Sequence, residues 1–154
     1  MSDHTAYVGL GANLGDSKTT VTEALRSLGA INATRVVAKS SLYSTKPWQA
    51  SGPDYTNAVA KLVTQLEPEA LLSALQKIEA EYGRVRTYKN APRTLDLDLL
   101  LFDKLVYSSK TLTLPHARMH ERVFVLEPLV EIEPDIEIPG IGSAHATLEK
   151  LPTI

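Results

Sequence analysis

The sequence predicts an α+β domain on three observations: segments of period-two alternation, two long apolar stripes at helical spacing, and the order in which these alternate. Residues 6–10 read as a short apolar strand. Asp16 then opens a helix whose Val21, Ala24, Leu25 and Leu28 recur at helical spacing, with Gly29 suited to a left-handed stop. Residues 35–44 and 57–66 alternate as two antiparallel strands should, joined by a long loop through 48–53. Pro68 sits at a first-turn position, the stripe Leu71, Leu72, Leu75, Ile78 and Tyr82 follows, and Gly83 closes a second helix. No apolar period runs through 83–94. Residues 95–102 begin as strict alternation and end as a buried run, the mark of a central strand. A short strand at 112–114 and a third helix over 119–130, bearing Val123, Leu126 and Val130 and ending near Pro134, complete the chain. The order is β-α-β-β-α-β with a C-terminal α/β extension. That is the ferredoxin-like sandwich, with helices packed on one face of an antiparallel sheet.

Composition narrows the function classes. At 154 residues the chain fits one domain with one real core, and its 44% apolar and 22% charged residues exclude the low-hydrophobicity signature of disorder. A compact monomer, or at most a small oligomer, is expected. No cysteine is present, which removes disulfides, thiolate zinc sites and cysteine nucleophiles. The start carries neither a basic leader nor a long apolar stretch, so the expectation is a cytoplasmic protein with no membrane partner. A net charge of −2 argues against nucleic acid as a partner. Locally the balance differs: Arg84, Arg86, Lys89 and Arg93 put four cations into ten residues without an acid, a segment fitted to a phosphate-bearing small molecule.

The chemistry centres on Arg93-Thr94-Leu95-Asp96-Leu97-Asp98-Leu99. A period of two sends the leucines to one face and both carboxylates to the other, with the Asp96 and Asp98 Cα atoms about 6.6–6.8 Å apart. Such a pair holds a hard divalent cation, and Mg²⁺ is the natural candidate because it binds through one or two carboxylates together with substrate phosphates. An isolated D-x-D on a strand more often shows a polar face to water. Here the pair adjoins a buried run and aspartate is a poor strand former, so doubling it needs another reason. Cationic side chains near such a metal site stabilise the spreading charge of phosphoryl transfer.

Other residues read blandly when taken alone. Gly9-x-Gly11 after a strand invites a dinucleotide loop, but the third glycine position is Leu14, and the glycines are expected to form a tight turn. Tyr55 and Phe124 are more simply core aromatics than ligand stackers. His116 after Pro115 is as readily a capping or solvent-facing side chain as a site residue. Arg84 and Arg86 fit a solvated loop, where exposed ion pairs contribute only about 0–1 kcal/mol.

The run Pro92-Arg93-Thr94-Leu95-Asp96-Leu97-Asp98 resembles the signature of the 6-hydroxymethyl-7,8-dihydropterin pyrophosphokinase family of folate biosynthesis. Four further segments match in order: residues 9–16, residues 41–47, the motif Pro53-Asp54-Tyr55-Thr56-Asn57-Ala58, and residues 114–126, with Ile78-Glu79 and Gly83-Arg84 between them. The resemblance covers nearly the whole chain and implies one pyrophosphokinase domain over 1–154. It implies transfer of pyrophosphate from ATP to the pterin hydroxymethyl group, giving AMP and a pterin diphosphate, with Asp96 and Asp98 holding two Mg²⁺ ions. On the same ground Arg84 and Arg93, on a loop that closes over the nucleotide in the family, neutralise the phosphates. His116 and Arg122 also lie near ATP, and Gln76 and Glu79 lie on the nucleoside side. Tyr55 and Phe124 sandwich the pterin ring, Asn57 pairs with its polar edge, and the backbone from Thr45 through Pro47 to Trp48 completes the pocket.

Two positions depart from the family pattern: a tryptophan expected before the Pro-Arg-Thr motif is replaced by Tyr88-Lys89-Asn90-Ala91, and the aromatic after the motif histidine is Ala117. No residue stands out as a general base. Two other functions stay open at this level. A non-catalytic ferredoxin-like binding module would keep its ligand after both aspartates are removed, and a metal phosphohydrolase would release phosphate from ATP without pterin.

Overall fold

The structure is a computed structural model that describes residues 3–13, 16–45, 54–82 and 95–152. Within them a central antiparallel sheet is ordered β2 (Thr34–Lys39), β4 (Tyr55–Thr64), β1 (His4–Ala12), β5 (Asp96–Phe102), with β3 (Tyr43–Thr45) also pairing with β4. Helices α1 (Ser17–Gly29) and α2 (Pro68–Tyr82) supply Val21, Leu25, Leu28, Leu71, Leu75 and Ile78 to the core on one face, where they meet Val8, Leu10, Leu62, Leu97 and Leu99. The opposite face carries a second core. There Tyr7, Val59, Leu100 and Leu101 meet Val125, Leu126 and Leu129 of α3 (Val123–Ile132) and Ala144 of α4 (Ala144–Lys150). None of the helices among the described residues is long and apolar enough to cross a membrane.

Several sequence expectations change. Residues 35–44 do not form one strand: β2 ends at Lys39, and Ser40 anchors the chain to Val59 through N–H to O at 2.9 Å and Val59 N–H to Ser40 Oγ at 2.9 Å before β3 begins. The Asp96–Phe102 strand stands at the end of the strand order rather than at its centre. Its apolar residues are buried all the same, because helices cover both faces of the sheet. A register shift opposite Tyr7 and Val8 makes a bulge that turns both Leu100 and Leu101 into the second core. Beyond it, His116 N–H donates to Leu100 O at 2.9 Å, so the chain itself covers part of that edge.

Gly29 is the last helical residue, not a left-handed stop; Ala30 caps in a right-handed conformation, and the positive φ of 55° falls at Ala33. The third helix is broken. Residues 119–121 form a 3-10 turn, Arg122 is extended, and α3 starts only at Val123. The predicted strand near 112–114 pairs as β7 (Thr113–Leu114) with β6 (Tyr107–Ser108), a partner that sequence did not reveal. Glu69 in the first turn of α2 ties this hairpin down, accepting from Tyr107 OH, Ser109 Oγ and Thr111 Oγ1 at 2.8, 2.7 and 2.7 Å. The C-terminal extension is a hairpin of β8 (Glu137–Ile138) and β9 (Gly142–Ser143) followed by α4.

At the start of β1, His4 is bracketed by two acids: Nδ1 lies 2.7 Å from Asp103 Oδ2 and Nε2 lies 3.0 Å from Glu67 Oε2. A neutral imidazole donates from only one nitrogen, so the bracket favours the charged ring. The Asp103 hydrogen bond is the largest cause of a pKa raised above the usual 6.5. Since the folded value exceeds the unfolded one, this stabilisation is complete below about pH 6.5 and is lost as pH rises through the folded value. Thermal melts should therefore place the parent furthest above His4→Gln near pH 5.5, with the gap narrowing by about pH 8.5. A gap that holds constant over that range would mean the ring is not charged in the fold.

Candidate active site

Period two on β5 puts Leu95, Leu97 and Leu99 into the α1–α2 core, each no more than 4% exposed, and leaves Asp96 and Asp98 on the α3 side of the sheet, partly open to solvent. Register then places their neighbours. Asp96 stands opposite Gly11 of β1, Gly11 opposite Asn57 of β4, and Asn57 opposite Tyr43 of β3; one step along, Asp98 stands opposite Gly9 and Gly9 opposite Val59. Residues paired across antiparallel strands share a face, so Asp96, Asp98, Asn57, Tyr55, Tyr43 and Thr45 all project to one side.

The two glycines correct the sequence reading: they are not a tight turn but interior residues of β1. They leave the strand between the aspartates and Asn57 without side chains. At Gly11 this has a direct consequence, because a Cβ there would stand 3.1 Å from Asn57 Oδ1. The carboxamide occupies that space. Asn57 is 5% exposed, and its Nδ2 donates to Thr45 Oγ1 at 2.7 Å. Among the described residues its Oδ1 and second N–H have no other hydrogen-bond partner, which suits a planar polar edge. Sequence inspection missed this role for Gly11, although a glycine at strand alternation is itself a signal of close approach.

His116 is brought to the same place. Its Nε2 lies 4.0 Å from Asp98 Oδ1, and its Nδ1 accepts from Arg118 N–H at 3.2 Å, which leaves the imidazole proton on Nε2, facing Asp98. Burial, with Arg122 and Arg118 acting in the same direction against Asp98, holds its pKa below the ordinary value. The ring is therefore a neutral donor beside a carboxylate. Arg122 is the extended residue before α3, and its guanidinium carbon sits 5.7 Å from the centroid of the Phe124 ring. Phe124 is 37% exposed in the first turn of α3, so it is not a core aromatic.

Glu79 near the end of α2 accepts from the backbone N–H of Leu97 at 2.7 Å. It thus pins the strand between the two aspartates from the outer edge of the sheet, a supporting role that the motif match alone did not disclose. Gln76, one turn earlier on α2, is exposed. Pro47, Trp48, Arg84, Arg86, Lys89, Arg93 and the Tyr88–Ala91 variation lie outside the described residues.

Two carboxylates on one strand face fit Mg²⁺, which needs few protein ligands when phosphates supply the rest. No third acid or histidine completes a metal cluster among the described residues. The donor set therefore suits a metal that arrives with a phosphorylated substrate better than one held in a closed protein cage.

Comparison with known proteins points the same way. The sequence model of the family described as 7,8-dihydro-6-hydroxymethylpterin-pyrophosphokinase matches residues 7–134. A 2-amino-4-hydroxy-6-hydroxymethyldihydropteridine pyrophosphokinase of Haemophilus influenzae is 45% identical over 137 residues, 88% of this chain and 86% of that one. Its namesake in Pseudomonas aeruginosa is 45% identical over 134 residues, 86% of this chain and 83% of that one. Folic acid synthesis protein fol1 of Schizosaccharomyces pombe is 40% identical over 150 residues, 96% of this chain but 20% of its own length. Among solved structures, an HPPK-DHPS chain of Plasmodium falciparum superposes with a TM-score of 0.78 over 97% of this chain at 12% identity, and this chain spans 45% of it. At that identity the likeness is one of fold.

Proposed function

The chain belongs to the 7,8-dihydro-6-hydroxymethylpterin-pyrophosphokinase family, and on that premise we propose that it transfers pyrophosphate from ATP to 6-hydroxymethyl-7,8-dihydropterin with Mg²⁺ as cofactor. The observation that carries the reading is the row Asp96, Gly11, Asn57 across β5, β1 and β4. Two strand spacings separate its ends, about 9.4–9.8 Å, with only glycine on that face of β1 between them. A flat two-ring heterocycle with a one-carbon arm fits that floor: its amide edge meets Asn57 and its hydroxymethyl oxygen reaches the aspartates. Tyr55 and Phe124 cover its faces.

In this reaction the hydroxymethyl oxygen attacks the β-phosphorus, the bond from that phosphorus to the oxygen bridging the α-phosphorus breaks, and AMP departs. The hydroxyl proton passes to solvent. When bound, Mg²⁺ supplies charge neutralisation for the phosphates and lowers the pKa of the attacking hydroxyl. Asp96 and Asp98 hold it. His116, neutral with its proton on Nε2, donates to a phosphate oxygen, and Arg122 adds a cation at the same end of α3. Arg84 and Arg93 are assigned to the phosphates on their charge and on the family resemblance, and Gln76 and Glu79 to the nucleoside side. The order β2-β4-β1-β5, all antiparallel, with α1 and α2 on one face, supports a ferredoxin-like reading of the sheet, and the proposal includes a single domain acting as a monomer.

The test is product identity. Purified protein with ATP, the reduced pterin alcohol and Mg²⁺ should yield AMP and pterin diphosphate in equal amounts. ADP as the product, or phosphate released without pterin, would replace this reading with a different phosphotransferase or with a phosphohydrolase.

A further inference from the structure

The two walls of the pterin site stand on different elements: Phe124 lies in the first turn of α3, whereas Thr45, Tyr55 and Asn57 belong to β3 and β4. Backbone pairing within the sheet does not fix the gap between them. β3 is three residues long and pairs only with β4 among the described strands, and so short an edge strand is among the first parts of a sheet to open. Among the described residues, every hydrogen bond joining α3 to residues 40–45 ends on one side chain. The Glu131 oxygens both lie 3.1 Å from Ser41 N–H, and they accept from Ser41 Oγ at 2.9 Å and from Tyr43 OH at 2.7 Å.

That carboxylate is well placed to transmit position. Glu131 follows Phe124 by seven residues, two helical turns along the same face of α3, about 10.5 Å away. Tyr43 pairs across the sheet with Asn57, and Thr45, two residues on and on the same face, holds the Asn57 amide at 2.7 Å. A donor set converging on one charged acceptor gives shorter and stronger bonds than neutral partners do. Its titration agrees: the Tyr43 hydrogen bond holds Glu131 below the usual carboxylate range, while burial and Glu131 push the Tyr43 phenol up to about 12.

We propose that Glu131 is a positioning residue for the pterin. It touches no substrate; by clamping Ser41 and Tyr43 to α3 it sets the distance between the Phe124 wall and the Asn57–Thr45 wall. The inference rests on the pterin reading given above.

Titration calorimetry with a non-hydrolysable ATP analogue and Mg²⁺, then with the pterin, separates the outcomes. For Glu131→Ala we expect pterin affinity to fall about 5–20-fold, while ATP-analogue affinity stays within about twofold and the loss appears in the pterin KM rather than in kcat. Glu131→Gln, which keeps one acceptor oxygen, and Tyr43→Phe, which removes one donor, should each lose less. They also keep the question answerable if the alanine variant does not fold. Unchanged pterin affinity in all three variants, or equal weakening of both ligands, overturns the proposal and leaves Glu131 an ordinary structural clamp. A parent protein that binds no pterin overturns the underlying reading and this inference with it, and it differs visibly from a parent and variants that bind equally well.

Discussion

Replacing both Asp96 and Asp98 with asparagine should reduce kcat/KM by at least about 10²–10³-fold while leaving the fold intact. The exchange keeps size and shape and removes two negative charges. Both side chains are partly open on the α3 side of the sheet, with the Asp98 side chain 44% exposed, and the leucines that alternate with them, Leu95, Leu97 and Leu99, face the other way. Folding stability should therefore change by less than about 1 kcal/mol, since the buried leucine contacts of β5 stay in place. A second readout is independent of turnover. ATP with Mg²⁺ raises the melting temperature of any protein that binds it in the folded state, and that rise should shrink or vanish in the double variant. Turnover retained within tenfold of the parent would remove these carboxylates from the chemistry and the metal site with them.

Gly11→Ala should weaken pterin binding by about 10–100-fold, or roughly 1.4–2.7 kcal/mol, with ATP-analogue binding changed by less than about twofold. The added methyl would stand 3.1 Å from Asn57 Oδ1, and that amide has little room to yield because it is 5% exposed and tied to Thr45 Oγ1. Alanine lowers the entropy of the unfolded chain, but the strain of its contact with the tied Asn57 amide outweighs that gain, so a modest fall in folding stability is expected beside the loss of pterin affinity. Gly9→Ala is the comparison: its Cβ meets only the flexible end of Leu100 at 3.5–3.7 Å, an ordinary contact, and its effect on pterin affinity should be smaller. Equal effects at both glycines would show that the bare floor, and not the Asn57 amide, is what matters.

Local pattern carried much of this molecule. The leucine–aspartate alternation of 95–99 predicted which face each side chain takes, and burial agrees, because a two-residue period holds wherever one face of a strand is covered. Pro68 at the start of α2 and the stripe Leu71, Leu75, Ile78 were legible for the same reason. Breaks were not. Nothing local marks Arg122 as extended, yet it divides the expected third helix and so places Phe124 in the first turn of α3. The interruption between β2 and β3 is likewise tertiary in origin: Ser40 turns to bond Val59, and Glu131, 90 residues away, gathers Ser41.

The sequence by itself therefore determined the kinds of element, the side of β5 on which the two carboxylates stand, and the family to which the chain belongs. Periodicity and motif spacing are properties of neighbouring residues. Which strands lie side by side was decided only by the tertiary structure, since cross-strand register joins residues far apart in the chain. Register put Gly11 between Asp96 and Asn57, made an expected turn into the interior of β1, and moved the aspartate strand from the centre of the sheet to the end of its strand order.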